Sequence, residues 1–379
     1  MKLAINLFLS LGMLALCMWL VWPDAPARHE LAQAFARLQW GSFWPYLVGY
    51  LALQLVVHIC RSLRWNHLLA PLGVKVPAGP LLAISSVGFM MILALPARLG
   101  EFVRPGLLRR RGISASMALG TVAVERIVDG LLISVLVFGT FFALRGPTAP
   151  GWMMPTAYTA LGVFSVALVF LLFAMWRPEP TVSFCMKMSL LPRISPRIAT
   201  TIELKVLDMI RGFAVLKNGK QLSAFLAWTV VYWGANGIGV WLLALAFGLP
   251  LSLTGGFAVM GLVGVGISLP NSPGLVGQFQ WFTLLGLSLY LPGVMDKTTD
   301  LHAVALAYAI TQHLLQVSWY VGMGALGLLS PWVSFADLRA SRKRAPSEVA
   351  PEATAVEVGK KLARSGSGGD DSTDAPAPG

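Results

Sequence analysis

The sequence predicts an all-α membrane protein with about six full spans and two re-entrant hairpins, arranged as an inverted repeat. Three observations support this prediction. Of the 379 residues, 56% are hydrophobic and only 12% are charged. Runs of about twenty apolar residues match the thickness of a bilayer core. The net charge of +12 lies mostly in short segments between these runs, as expected for loops facing an anionic cytoplasmic leaflet rather than nucleic acid.

The first predicted span lies at the N-terminus. The stretch MKLAINLFLSLGMLALCMWLVWPDAPA has a short basic start, an apolar run and a terminal APA, which together resemble a cleavable signal peptide. The apolar run is long for a signal peptide, so an uncleaved span with a cytoplasmic N-terminus is favoured. Residues 23 to 42 then lie outside.

Five further runs are long enough to cross the bilayer. They are residues 43–59, 117–142, 155–176, 222–247 and 302–329. Eight basic and three acidic residues in the connection 177–221 place it in the cytoplasm by the positive-inside rule. The same rule places the C-terminus there, because a basic stop follows the last span.

Two apolar stretches, 80–95 and 252–292, do not fit as ordinary spans. Basic residues flank the first, in a loop at 60–79 that carries Arg61, Arg64 and Lys75 and in the cluster 96–112. A full crossing would put one basic loop outside, whereas a hairpin entered from the cytoplasm keeps both inside. The second stretch, broken by LPNSPGLVGQ, is predicted to enter and leave from the outer side. The alternative is that glycine and proline merely kink two ordinary helices.

These assignments make the two halves of the chain inverted copies. The two hairpin tips, LPARLGEF and LPNSPGLVGQF, also share a proline and a glycine four residues apart. Interrupted hydrophobic segments at matching places in two halves mark the substrate site of a transporter, because freed backbone groups are tolerated only beside protein or a wet cavity. We therefore predict that Asn271, Ser272 and Gln278, at the second tip, contact substrate.

The first tip begins the densest charge cluster, PARLGEFVRPGLLRRRG at 96–112. Guanidinium groups replace the lost hydration of a phosphate by bidentate hydrogen bonds, so Arg98 and Arg104 are predicted to bind an anionic headgroup. Glu101, three residues from each, is predicted to hold them in place or to accept a hydrogen bond from an amine-bearing headgroup. The adjacent arginines 109–111 are assigned to topology.

A second constellation, ERIVDG, places Glu125, Arg126 and Asp129 inside an apolar helix. Charges at that depth usually face a bundle interior or a cavity, so we predict that all three contact substrate. Glu125 and Asp129 share a helix face, and Arg126 has the right spacing to pair with Asp129. The alternative is a self-neutralising cluster that braces the arginines of the first hairpin.

These motifs resemble a known family. PARLGEFVRPGLLRRRGISASMALGTVAVERIVDGLLI, followed by SLPNSPGLVGQFQ, is similar to the lysylphosphatidylglycerol synthase transmembrane-region family over most of residues 1–330. The resemblance implies a role in moving or handling lipids. Two departures are visible: the residues present do not supply the acyltransferase-like soluble domain of the synthase proper, and Gln278 stands where an acidic residue is common in the family.

The expected function is a lipid translocase of the bacterial inner membrane, carrying an anionic, aminoacylated, polyprenyl-linked or hopanoid-type lipid between leaflets without a cofactor. The alternative is an accessory subunit that presents lipid to a glycosyltransferase or another lipid-modifying enzyme. An enzyme is disfavoured, because no nucleophile or phosphate-binding loop accompanies the carboxylates and the histidines and cysteines lack metal-ligand spacing. Expected partners are the lipid and either a second copy or a lipid-modifying enzyme.

The chain divides into two regions. Residues 1–331 form the membrane domain, and residues 332–379 form a basic stop and a tail. The stretch PEATAVEVGKKLARSGSGGDDSTDAPAPG is rich in small, charged and proline residues. It is predicted to be a disordered cytoplasmic tail.

Overall fold

The structure is a computed structural model that describes residues 15, 19, 25–95, 100–143, 151–189, 191–268 and 272–334. Within these ranges the chain is helical and has no strand, which confirms the all-α prediction. Most of the predicted N-terminal span, nearly all of the tail, and the site residues Arg98 and Asn271 lie outside the described residues.

The helices are named here in chain order. They are α1 (Ala25–Ala36), α2 (Trp40–Leu63), α3 (Trp65–Leu69), α4 (Ala78–Ala94), α5 (Val103–Leu108), α6 (Ala115–Ala143), α7 (Met153–Trp176), α8 (Pro178–Met188), α9 (Leu191–Ile194), α10 (Pro196–Arg211), α11 (Gly219–Ala246), α12 (Leu253–Ser268), α13 (Gln278–Ser288) and α14 (Asp300–Leu329). Short 3-10 turns include Ala70–Leu72 and Pro273–Leu275.

Three helical stretches are long and apolar enough to cross a membrane. They are Trp40–Leu72, Met154–Trp176 and Gly219–Ala246, at the predicted spans 43–59, 155–176 and 222–247. Helices α6 and α14, with 29 and 30 residues, cover the predicted spans 117–142 and 302–329. The outer surface of α7 exposes a row of apolar side chains, as expected for a helix that faces lipid.

The prediction of a basic loop at 60–79 is wrong for most of that range. Helix α2 continues to Leu63, and helical turns follow as far as Leu72. The stretch before Pro71 contains no proline or glycine, so nothing in the sequence stops the helix. The chain leaves helical geometry at Gly73, whose φ of 78° favours glycine.

Helices α4 and α5 lie in the region of the first predicted hairpin, and their packing against each other is called the first helical hairpin below. Helix α4 has 17 residues, a length of about 26 Å at about 1.5 Å per residue, and α5 returns along it. A methyl group at Gly100 would overlap the backbone of Met91 and Ile92, and one at Gly88 would overlap the Arg104 side chain. The absence of side chains at these two glycines allows the returning segment to lie directly against α4.

A second helical hairpin joins α12 and α13 through the segment 272–277. Two glycines in this segment, Gly274 and Gly277, have φ values of 62° and 76°, a left-handed conformation that lets the chain reverse sharply. Gly286 of α13 packs on the backbone of Val259 in α12. The two helices therefore lie face to face along their length.

The two hairpins enter the bundle from opposite ends of α6. Gly261 and Gly264 of α12 lie against Val137 and Ile133 of α6, so α12 runs antiparallel to α6 and its C-terminal end points towards the middle of α6. The first hairpin ends at the other end of α6, because only the short turn Arg109–Arg111 and three further residues separate α5 from the start of α6. The turn Pro273–Leu275 packs against α4, so the second tip meets the first hairpin.

Candidate functional site

Buried charged side chains from α5, α6 and the end of α2 meet in the interior of the bundle. Arg64 is fully buried. Its Nη1 and Nη2 atoms donate hydrogen bonds of 2.7 Å to Oδ1 and Oδ2 of Asp129, and Nη2 also donates to Oε1 of Glu125 at 3.0 Å. A bidentate guanidinium–carboxylate pair is among the strongest side-chain interactions in proteins.

Neutral groups complete the surroundings of the Arg64–Asp129 pair. Nη1 of Arg64 donates to the Thr229 hydroxyl at 3.0 Å, and the Trp233 indole donates to Oδ1 of Asp129 at 3.1 Å. Both come from α11. Because a buried ion pair is stabilised by hydrogen bonds to its remaining donors and acceptors, these contacts help to hold the pair in place, and among the described residues only Nε of Arg64 stays without a partner.

Glu125 is the acceptor shared by several arginines. It is fully buried, and its oxygens lie 3.0 Å from Arg64, 3.2 Å from Arg104 and 3.7 Å from Arg126. One turn of α6 separates it from Asp129, so both carboxylates lie on the same helix face, as predicted. Glu125 therefore links the first hairpin to α2 and α6.

Arg104 brings the charge of the first hairpin into this cluster. The side chain is 1% exposed and its Nη1 donates to Glu125. Its guanidinium carbon lies 4.2 Å from the ring centroid of Trp65 and 5.0 Å from that of Phe89. Its Nε and Nη2 atoms are buried and have no hydrogen-bond partner within the described part of the chain.

Arg126 and Glu101 form the edge of the cluster. Their side chains are 27% and 19% exposed, with Nε and Oε2 separated by 3.7 Å. The pairing of Arg126 with Asp129 allowed by the sequence spacing is therefore wrong: Asp129 is bound by Arg64, and Arg126 lies beside Glu101 and Glu125. The carboxylate adjacent to Arg104 is Glu125 rather than Glu101.

Two functional residues, Arg61 and Arg64, lie in the helical segment that the sequence predicts to be a basic loop. In the structure Arg61 donates from Nη1 to the Tyr320 hydroxyl at 3.0 Å, and its guanidinium carbon lies 4.0 Å from the Phe89 ring centroid. Two signals were available: no helix breaker separates these arginines from the preceding span, and buried carboxylates on α6 require buried cations.

The second tip uses its polar groups to close itself. Gln278 accepts a hydrogen bond from the Ser272 amide at 3.0 Å and donates to the Gly266 carbonyl at 2.8 Å. Gln280 accepts from the Gly277 amide at 2.9 Å and lies 2.9 Å from His313 of α14. Ser272 and Gln278, predicted to contact substrate, thus hold the turn in place.

The arrangement favours binding over covalent chemistry. Glu125 and Asp129 are each engaged by guanidinium groups, so neither is set up as a general base. The described cluster contains four arginines and three carboxylates, which leaves a surplus of positive charge. The arginines are Arg61, Arg64, Arg104 and Arg126, and the carboxylates are Glu101, Glu125 and Asp129. Arg109 and Arg111 are exposed and lie outside this cluster.

Comparison with known proteins identifies one family. A family model described as the lysylphosphatidylglycerol synthase TM region matches residues 4–319, which confirms the resemblance drawn from the motifs. The matched range includes both hairpins and the whole charge cluster. No curated protein and no solved structure matches the chain.

Proposed function

The chain belongs to the lysylphosphatidylglycerol synthase transmembrane-region family, and we propose that it is a lipid translocase of the bacterial inner membrane. Family membership and the apolar helices support a lipid-related function in a membrane. The observation that carries the translocase proposal is the buried charge cluster beside two helical hairpins that meet inside the bundle. Buried charges inside transmembrane bundles typically line the path of a polar substrate.

We propose that both hairpins are re-entrant. Tyr290, after α13, packs on Gly255 at the start of α12 and donates to the carbonyl of Thr140 near the end of α6. The second hairpin therefore begins and ends at one end of α6. In the first hairpin, α4 has Ala83 beside Gly327 and Met90 beside Gly324 of α14. Its start thus lies near the last turns of α14, the end proposed to be cytoplasmic.

In this proposal the first hairpin is the moving part. Arg104 is attached to Glu125 through Nη1, whereas Arg64 and Asp129 are joined by two short bonds. A lipid headgroup that takes over contacts of Arg104 weakens the link between the first hairpin and α6. The hairpin then changes its position relative to the fixed Arg64–Asp129 pair, and the site changes its exposure from one leaflet to the other.

Leaflet exchange in proteoliposomes tests this function. Fluorescent phospholipid is followed by dithionite quenching in protein-free vesicles, in vesicles with the wild-type chain and in vesicles with Glu125→Asp. This substitution keeps the charge but withdraws the carboxylate from Arg104. We expect the wild type to accelerate exchange and Glu125→Asp to slow it by about tenfold, equivalent to about 1.4 kcal/mol in barrier. Glu179→Asp, at an exposed position of α8, is the matched control.

The alternative function predicts a different result. If the wild-type chain retains lipid through purification but exchanges none above protein-free vesicles, with or without a proton gradient, the translocase proposal is wrong. The chain then serves to present lipid to a glycosyltransferase or another lipid-modifying enzyme. Mass spectrometry of the co-purified lipid identifies the lipid class in either case.

A further inference from the structure

Arg61 differs from the other arginines of the cluster in having no carboxylate partner among the described residues. Among the described residues, no Asp or Glu oxygen lies within 4.0 Å of its guanidinium group. Its contacts are the Tyr320 hydroxyl and the faces of Phe89, Tyr232 and Tyr320. Its Nε atom is buried and has no hydrogen-bond partner in the part of the chain that the structure describes. An unpaired cation inside a bundle is costly unless a ligand supplies the negative charge.

Arg104 presents a second set of unused donors nearby. The guanidinium carbons of Arg61 and Arg104 lie 4.0 Å and 5.0 Å from the centroid of the Phe89 ring, so they are within about 9 Å of each other. Bidentate hydrogen bonds of about 2.8 Å place a phosphorus atom roughly 4 Å from a guanidinium carbon. Two such contacts span up to about 8 Å, so one phosphate group at the edge of the ring can reach both arginines over nearly the whole of this range.

The neighbouring groups favour an anion at this place. Both terminal nitrogens of Arg64 are already used by Asp129, Glu125 and Thr229, and within the described ranges only its Nε has no partner, so Arg64 has fewer donors left for a ligand than Arg104. The unused polar atoms of Arg61 and Arg104 are N–H donors, and guanidinium groups accept no hydrogen bond. Only a ligand with acceptor atoms satisfies them. The partial exposure of Arg126 and Glu101 shows that the cluster opens on one side.

We propose that a phosphate-type oxyanion binds between Arg61 and Arg104 beside Phe89, supplied either by a lipid phosphodiester or by free phosphate. The site deepens the proposed function and rests on it, because this is where a translocated headgroup would meet the first hairpin. Arg61 supplies a positive charge that no carboxylate of the described residues contacts directly. Arg104 divides its donors between Glu125 and the ligand, so ligand binding is coupled to the position of the hairpin.

Binding to the purified full chain tests the site. The probes are short-chain phosphatidylglycerol, diacylglycerol of the same chain length, and inorganic phosphate. We expect the wild type to prefer phosphatidylglycerol over diacylglycerol. Arg61→Gln should weaken phosphatidylglycerol binding by about tenfold or more, the typical effect of losing a charge-assisted hydrogen bond, and should leave diacylglycerol binding unchanged. Arg109→Gln, which removes an exposed arginine, is the matched control.

The outcomes distinguish a lipid phosphodiester from free phosphate as the source of the anion. They also distinguish failure of the proposed oxyanion site from failure of the proposed translocase function. Competition by inorganic phosphate indicates a site that also accepts free anion, whereas no competition indicates a lipid headgroup; both support the site. Arg61→Gln binding phosphatidylglycerol as tightly as wild type overturns it. Arg61→Lys keeps the charge but loses the bidentate hydrogen-bond geometry of the guanidinium group. It replaces Arg61→Gln if the Gln variant does not fold. Loss of binding in the variant together with no wild-type lipid exchange keeps the site and overturns the translocase.

Discussion

The two helical hairpins have the same outline but opposite chemistry. The first, residues 78–111, carries five arginines and a glutamate, and its Arg104 is bound by a carboxylate of α6. The second, residues 253–288, contains no charged residue at all. Its tip is closed by its own amides, with Gln278 bridging Ser272 and Gly266. One hairpin is tied to its neighbours by charge, whereas the other is tied mainly to itself.

This difference indicates how the two hairpins respond to a ligand. A neutral hydrogen bond contributes about 1 kcal/mol and is satisfied locally, so the second hairpin has little reason to change when an ion arrives. A buried charge must keep a partner at all times, so the first hairpin must exchange contacts with any charged ligand. We infer that the first hairpin senses the substrate and that the second forms a neutral wall opposite it.

The largest effect on stability is expected at the Arg64–Asp129 ion pair. Arg64→Gln removes the cation that binds Asp129 and leaves that carboxylate buried beside neutral donors only, at an expected loss of about 3–5 kcal/mol in unfolding free energy. Denaturant unfolding in detergent measures the loss. Adding Asp129→Asn to Arg64→Gln should recover part of the stability, because no unpaired charge then remains at this position. A double variant less stable than Arg64→Gln would contradict the inference that Arg64 and Asp129 stabilise the fold as an ion pair.

A smaller and more local effect is expected in the second hairpin. Gln278→Ala removes the acceptor of the Ser272 amide and the donor to the Gly266 carbonyl, and should cost about 1–3 kcal/mol. Hydrogen exchange at the Ser272 amide should accelerate, while phosphatidylglycerol affinity stays at the wild-type value. Gln39→Ala, at an exposed position before α2, is the control. A large loss of lipid affinity in Gln278→Ala would show that the second tip also contacts ligand.

The sequence predicts where both apolar stretches are interrupted, because the signals of an interruption are local. Proline and glycine interrupt an apolar run in each, and the structure places the end of α4 and the end of α12 at those interruptions. It also predicted Arg104, Glu125 and Asp129 as site residues, and the structure brings them into one cluster. Isolated charges in an apolar helix have few alternatives to a buried cluster.

The pairing within the cluster was not predictable from the sequence. A charge at the end of an apolar run can lie in a loop, where it determines topology, or inside the bundle, where it forms an ion pair. Arg61 and Arg64 have the same sequence pattern as a topology signal, yet Arg64 is buried in the bundle and Arg61 is partly buried beside Tyr320. The choice between the two depends on which helix packs beside them, and α6 follows some fifty residues later. Without Arg61 and Arg64, Lys75 is the basic residue that remains in the predicted loop 60–79. The prediction that the first hairpin begins and ends in the cytoplasm therefore depends on the arginines 109–111.

The smallest effect is expected at the edge of the first hairpin, where Glu101 faces Arg126. Their separation of 3.7 Å exceeds a hydrogen-bond distance and their side chains are partly exposed, which makes this pair weaker than the buried pairs formed by Arg64. Glu101→Gln should therefore cost no more than about 1 kcal/mol, and less at high salt, since exposed pairs are screened. The same unfolding assay that is applied to Arg64→Gln measures it. A loss above about 2 kcal/mol, unaffected by salt, would contradict this. It would mean that the edge is as dry as the centre, and the ligand would then have to enter the cluster by another side.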